Sequence, residues 1–545
     1  MDKREGIKTE ERMKHTLRIS FLACLTLVGA YMPLHAAESG GAFNFVAPYD
    51  GSILTLDPHK TAKQQDLLVT TNLFRTLYMW NTEEQKPVLE LAEKVASSED
   101  GLTYTFTLKD GMTFHNGRKL VASDIAYSYE RMLTMDPVSP TSGYLQVIVG
   151  AKALQDGQAK TLAGVKVIDD KTLSITFTEK VDPAYQFYQP GTAIVPKEEV
   201  ERLGDKFGLT PVGSGPFMFK DWVQGSEVTL VKYPGYHEKG KPYLDSVAFK
   251  IMQEGASRDI AFRAKELDSI IVEAPQYNSY KNDPEYSGDL IEVAEMFTRL
   301  IVWNQKYEPL ANRKVRQAIS YAIDEDAINR KFLKGKAYNP VGWLPESSEA
   351  FDTGATGLGY DLEKAKALMK EAGYENGFEL KILGSANMSY GVAVAEIVGQ
   401  YLSKINIKVT TQQLEEGILY DKMVADDYQG IIWSFGSGPE PLVALKRWHS
   451  KTVNTSGNYA HYNNPEYDAL LDKAQAENDP ATRIALIKQA DAVFRDDAAV
   501  WLLNYNKAVL AVQPWVHGLK PVAIEIMYQD LADVWVEKTS PRAKQ

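Results

Sequence analysis

The chain has 545 residues, 60 Lys and Arg against 72 Asp and Glu, and a single Cys. At roughly 100–200 residues per domain, this length predicts three or more domain-sized units with real cores, and a composition 44% hydrophobic and 24% charged excludes wholesale disorder. A formal charge of −12 argues against general affinity for nucleic acid or anionic lipid, both of which need a positive surface.

The first element reads as a targeting segment. Lys14 and Arg18 precede the apolar run Ile19–Met32, and Ala36-Ala37 follow, which is the layout of a secretory signal peptide. Met1–Arg12 has no place in that layout, so Met13 is the expected translation start. Leu34 or His35 would occupy the position three before the cut, where a small residue is preferred, so cleavage is placed only near Ala36 or Ala37. Residues 1–36 are thus expected to be removed and the protein to be periplasmic. Lipidation at Cys24 is the weaker reading, because the apolar run continues beyond it. An uncleaved anchor is also disfavoured, since the run falls short of the roughly 20 residues needed to span a bilayer. Removal of this segment takes the only Cys with it, which excludes thiol nucleophiles, thiolate metal sites and disulfides.

The clearest local unit of the remaining chain runs from Leu91 to Gly117. Asp100-Gly101 marks a turn. Leu102, Tyr104, Phe106 and Leu108 alternate with Thr103, Thr105, Thr107 and Lys109, the period of a half-buried strand. Asp110-Gly111 and Asn116-Gly117 supply further turns, and Ser123 is the expected cap of a helix from Asp124 to about Leu133. Gly213 to Trp222 followed by Glu227 to Lys232 reads as a glycine turn feeding a strand hairpin, with another strand in Pro242–Ile251. In Asn312–Asp324, Val315, Ile319, Ala322 and Ile323 share one helical face. Asp479 and Pro480 open a late helix as cap and first residue, with Ile484, Ile487, Ala490 and Phe494 along its face. Val500–Tyr505 and Ala508–Val512 then read as two strands. Helices and strands alternate irregularly, which predicts an α/β class.

Together these units resemble family 5 of the extracellular solute-binding proteins, which deliver oligopeptides, dipeptides, nickel complexes, opines or oligosaccharides to ABC importers. The resemblance rests on Leu91–Glu93, Glu99–Phe106, Leu108–Gly111 and Phe114–Gly117, on the glycine turn Gly213–Pro216, on Arg313–Asp324, and on Tyr462–Leu471. It implies a two-lobed periplasmic-binding-protein (Venus-flytrap) fold with an extra subdomain in lobe one. Lobe one would comprise 37–298 and 508–545, with the subdomain at about 81–222. Lobe two would be 299–507, and chain crossings near 298 and 507 would form the hinge. Hinge closure buries a ligand between the lobes, and the ligand drives it only by binding the closed state better.

Nine Trp and 29 Tyr are a large aromatic supply. The default role of any one ring is packing, but a cleft for polar solutes also uses flat amphipathic rings. Ile431–Pro441 reads as a buried strand ending in a glycine-rich turn, and the resemblance places this strand end in the cleft. Trp433, Phe435, Gly436 and Ser437 are therefore the leading ligand contacts. Tyr49 and Asp50, after the first strand, come next, followed by Trp303 and Asn304 past the first crossing.

The departures from the family pattern shape the ligand class. Peptide-binding members often hold the ligand ammonium with an Asp three residues before the Glu/Asp-Pro pair, and here counting back from Glu440-Pro441 reaches Ser437. Dipeptide-binding members place an Arg just before the helix corresponding to 395–405, and Ser389–Val394 contains none. A peptide terminus buried without its countercharge costs several kcal/mol per ion. Glu440 or Asp50 could replace the Asp, and arginines elsewhere the Arg. The losses still favour a small non-peptide solute, opine-like or an oligosaccharide, over an oligopeptide.

The six histidines beyond the leader show no metal-ligand spacing, and no His-Glu-x-x-His, Gly-x-Ser-x-Gly or Walker A motif occurs. No metal, cofactor or catalytic residue is expected. The expected partners are a small-molecule solute and an inner-membrane ABC permease, with no nucleic acid, and the chain is expected to act as a monomer. A secreted glycan hydrolase using two carboxylates in a similar cleft is the competing reading, without a motif to carry it.

Overall fold

The computed structural model describes residues 37–47, 52–385, 388, 390–453 and 457–544. Tyr49, Asp50 and the leader lie outside the described residues.

The first described strand, Ala42–Val46, pairs in parallel with Ser246–Lys250. The hairpin strands Glu227–Lys232 and Phe217–Val223 complete a four-stranded sheet by antiparallel pairing. The turn before that hairpin needs glycine: a Cβ on Gly213 would stand 1.9 Å from the Leu73 carbonyl oxygen. Phe43, Phe45, Leu230, Val247 and Phe249 form one core with Leu510, Met527 and Leu531 from the C-terminal segment, so the end of the chain packs against its beginning.

The unit built on the Leu91–Gly117 block is a second four-stranded antiparallel sheet, in the order Ala92–Ser97, Thr103–Leu108, Thr172–Thr176, Val165–Val167. Phe106 and Leu108 are buried as the alternation predicts, packed on Ile125, Tyr129 and Phe187. Gly101, Gly111 and Gly117 all adopt positive φ, the conformation that makes glycine the natural turn residue. The following helix differs from expectation. It spans Ala122–Thr134, and Ser123 lies within its first turn rather than capping it. The stabilising contact comes from Asp124, whose carboxylate accepts the Val121 amide at 2.9 Å and is held by Arg118. A charged acceptor in the first turn also suits the helix dipole.

A large mixed sheet has the order Ser269–Ile271, Trp501–Val512, Leu290–Trp303, Gly430–Gly436, Glu379–Ser385, Lys408–Leu414, with Ala337–Tyr338 also paired to Trp501–Val512. Its two longest strands run antiparallel, and their register shifts between Ala294 and Thr298. Trp501–Val512 is one continuous strand where two were expected, because its pairing with Leu290–Trp303 resumes on both sides of that shift. Beyond the shift the sheet is covered on both faces. Leu300, Val302, Ile431 and Phe435 enter a core with Trp343, Trp448 and Phe494. Ile301, Trp303 and Ile432 enter another with Val315, Ile319 and Val398. This double burial explains why these strands read as continuous apolar runs. The helix Arg313–Ala322 buries its expected face, and Asp479 caps Pro480–Asp496 by accepting the Ala481 amide at 3.2 Å.

Candidate functional site

The strand Gly430–Gly436 is fixed by its neighbour. Trp433 lies opposite Leu300, Phe435 opposite Thr298 and Gly436 opposite Phe297. Alternation sends Trp433 and Phe435 to the same face. Trp433 is half-buried, with Tyr420 5.9 Å away. Phe435 stacks on Tyr459 at 6.1 Å and 14° and meets the edge of Trp448. Gly436 is half-buried, and a Cβ there would make only ordinary contact with Phe297. Ser437 donates its amide to the Met296 carbonyl at 2.7 Å, while its buried hydroxyl finds no partner among the described residues.

Arg447, which sequence reasoning missed, lies beside this strand end. Its guanidinium carbon sits 4.7 Å from the centre of the Phe435 ring. Burial lowers its pKa below the ordinary value, and the groups that partly offset this are the hydroxyls of Tyr459, Tyr144 and Tyr420, with no carboxylate among them. Tyr144 comes from the turn Ser142–Leu145, which packs with the second sheet. It is electrostatically linked to Tyr188 and Tyr528, all three pushed upward by burial. Tyr188 lies 5.9 Å from Trp80. Tyr144 from the 77–194 region and Phe435 from the end of strand Gly430–Gly436 therefore both face one guanidinium. Nothing in the sequence singles out Arg447 from other helix-end cations. Near this convergence the Lys180 carbonyl accepts from Gln475 at 3.2 Å.

Glu440 is already committed. It caps the following helix by accepting the Val443 amide and takes Arg483 at 2.7 Å. Burial raises its pKa, and Glu349 adds a like charge. The structure corrects the expectation for two further residues. Trp303 is fully buried, its ring filling the space above Gly430, where a Cβ would come within 2.8 Å of it. Asn304 is 4% exposed and donates to the Tyr428 carbonyl at 3.0 Å. Both hold the sheet and its loop, and neither reaches the strand end, because Trp303 points to the opposite face from Trp433. Tyr49 and Asp50 lie outside the described residues.

Two other features lie apart. Glu90, His237 and Glu238 stand close enough to hold a metal ion, but the Arg75 guanidinium lies 3.1 Å from Glu90 and supplies positive charge there already. A hollow is lined by Ser320, Glu325, Gly357, Arg495 and Trp501. Burial pushes the Glu325 carboxyl up to about 7. Arg495 is occupied by Asp496 at 2.9 Å, and the hollow lacks the facing rings of the strand end.

The profile of the bacterial extracellular solute-binding proteins, family 5 Middle, matches residues 86–456. The glutathione-binding protein GsiB of Escherichia coli is 27% identical over 502 residues, covering 89% of this chain and 94% of that protein. Among solved structures, the periplasmic binding protein DppA of Helicobacter pylori in complex with peptide STSA has a TM-score of 0.73 at 23% identity, covering 92% of this chain and 99% of that one. AgaA of A. tumefaciens in complex with agropinic acid has a TM-score of 0.73 at 25% identity, covering 91% and 99%. The fold is thus the two-lobed periplasmic-binding-protein fold, and no helix among the described residues is long and apolar enough to cross a membrane. The chain belongs to family 5 of the bacterial extracellular solute-binding proteins, the solute-capturing components of ABC importers.

Proposed function

We propose that this protein is a periplasmic receptor that closes around one small polar solute and hands it, chemically unchanged, to an inner-membrane ABC permease. The observation that carries this reading is the gathering of Phe435, Tyr459 and Tyr144 around the Arg447 guanidinium, at the end of the strand that carries Trp433 and leads into Ser437. Such a set stacks on a solute and offers it polar handles. Lobe one is assigned to 37–298 and 508–545, with the subdomain at about 81–222, and lobe two to 299–507. The register shift between Ala294 and Thr298 supports a hinge at the first crossing, since a break in the ladder is where a sheet bends most easily. Export through cleavage near Ala36 and a monomeric working form complete the proposal.

The ligand class follows from charge. Glu440, the nearest replacement for the missing Asp, is neutralised by Arg483 and spent on a helix cap. A free ligand ammonium would therefore be buried without a dedicated anion, at a cost of several kcal/mol. GsiB is named for binding glutathione and AgaA was solved with agropinic acid. The agropinic acid bound by AgaA, with the missing ammonium clamp, supports a non-peptide solute over a free-ended oligopeptide.

A native mass spectrum of the purified mature protein tests the reading. One solute retained at unit stoichiometry, and recovered intact after denaturation, is the expected result. Turnover of an added oligosaccharide would favour the hydrolase instead, and saturable binding of a mixed free peptide pool would overturn the ligand class.

A further inference from the structure

We propose that Arg447 is the anchor for a carboxylate of the ligand, so that the solute is an acid rather than a neutral sugar. This rests on the receptor reading above and specifies its ligand.

Buried charges in proteins are paired, because desolvation otherwise opposes folding. Three buried arginines obey the rule: Arg75 is held by Asp530 at 2.9 Å, Arg131 is held by Asp57, and Arg316 donates to four backbone carbonyls. Among the described residues Arg447 has no such partner. The groups around its guanidinium are the Phe435 ring and three tyrosine hydroxyls, which orient a cation without neutralising it. The site is also shaped for it: a Cβ on Gly457 would lie 2.7 Å from Arg447 Cγ and 2.9 Å from Nη1. A planar fork held against an aromatic ring keeps its donors free at the edge, which is the geometry that receives a carboxylate by two parallel hydrogen bonds. Phe435 beneath and Tyr144 from the other region then confine the acid in position, and the bound anion supplies the missing countercharge only when both regions are in contact. An anionic ligand would thereby favour the closed form.

Arg299 is the competing cation. It stacks on Tyr390 at 4.2 Å, in the stretch where dipeptide-binding members carry their Arg. It lies opposite Ser434 and so projects to the face away from Trp433 and Phe435.

The test is calorimetric titration of the mature protein, Arg447→Met and Arg299→Met with four probes: glutathione, agropinic acid, glutathione with its carboxyls esterified, and raffinose. The expected result is that the unaltered protein binds an acidic probe. Arg447→Met should then lose about 100-fold in affinity for the acid and discriminate acid from ester no better than chance, with Arg299→Met close to the parent. That loss of discrimination distinguishes an anchor from a residue that merely shapes the site. The proposal is overturned if Arg447→Met binds the acid as the parent does, if Arg299→Met carries the loss instead, or if raffinose or the ester binds as well as the acid. In the last case the receptor reading survives. If no probe of any class binds and no solute is retained in the native mass spectrum, both fall.

Discussion

The core around the N-terminal strand and the end of strand Gly430–Gly436 treat buried polar groups in opposite ways. In the first, Asp268 is fully buried and accepts from Arg542, from Trp515 Nε1 at 2.8 Å and from the Asn44 amide at 2.7 Å. Asp57 receives Arg131 and the His59 amide, and burial with the Arg131 charge holds His59 down at about 4, hence neutral. The carboxylates in these clusters are met by cations and amides of the chain itself. At the strand end, the Ser437 hydroxyl has no partner among the described residues, and the half-buried Arg447 guanidinium has no carboxylate beside it. Buried polar groups are normally satisfied, but the indoles of Trp303, Trp343 and Trp448 are unpartnered within packed cores as well, so what sets the strand end apart is a cation with no carboxylate beside it.

The contrast breaks most visibly where architecture is removed. Asp268→Ala would strand the buried Arg542 and orphan the Trp515 indole and Asn44 amide, and it is expected to cost about 3–5 kcal/mol. Trp303→Ala, which empties a packed space above Gly430, is expected to cost a comparable amount, about 3–5 kcal/mol. Urea unfolding followed by circular dichroism measures both. A loss below about 1 kcal/mol for Asp268→Ala would mean that the paired clusters are not what holds this core. Arg447→Met should in the same assay leave stability unchanged or slightly raised, because an unpaired buried charge is replaced by an apolar chain of similar length.

An intermediate effect is expected at the register shift. Glu295 accepts the Ile526 amide at 2.7 Å and also takes Asn506. Glu525 takes Gln64, and the two carboxyls interact directly. Burial raises both, and for Glu525 the Glu295 charge raises it further. A carboxyl whose folded pKa lies above its unfolded value contributes stability that is complete below the ordinary carboxylate range and is lost as pH rises through the folded value. Stability should therefore decline from about pH 5 upward, at up to about 1.4 kcal/mol per pH unit for each proton involved. Glu525→Gln should flatten that decline relative to the parent protein, as read from unfolding midpoints across pH 5–8. An unchanged slope would remove the shared proton from the account.

The sequence made some of this legible and concealed the rest for physical reasons. The Asp-Gly and Asn-Gly turns, the alternating strand Thr103–Leu108 and the Asp479-Pro480 helix start are set by neighbours within a few residues, and they stand where local chemistry puts them. Ser123 misled because two acceptors were adjacent and the charged one, Asp124, had Arg118 to hold it. Trp303 misled because Ile301 to Trp303 is buried on both faces of the sheet, which erases the alternation that would show where each side chain points. The pairing of Glu295 with Glu525, and of Arg447 with Tyr144, is set by strand order and by contacts between distant segments, which no local pattern encodes.

Trp433→Ala is expected to cost much less stability than Trp303→Ala, and it tests the contrast from the other side. Trp433 and Trp303 lie three positions of the same ladder apart, Trp303 opposite Gly430 and Trp433 opposite Leu300. They differ in face and in burial: Trp303 fills a core, whereas Trp433 is half-buried against Tyr420. Truncating a ring that already meets solvent removes less transfer free energy and leaves no closed cavity, so a cost under about 1 kcal/mol is expected, against several for Trp303. Ligand binding should show the reverse order, with Trp433→Ala losing the retained solute in the native mass spectrum while remaining folded. A variant that kept the solute at full occupancy would place the binding surface elsewhere, because Trp433 is the more exposed of the two rings on the strand itself.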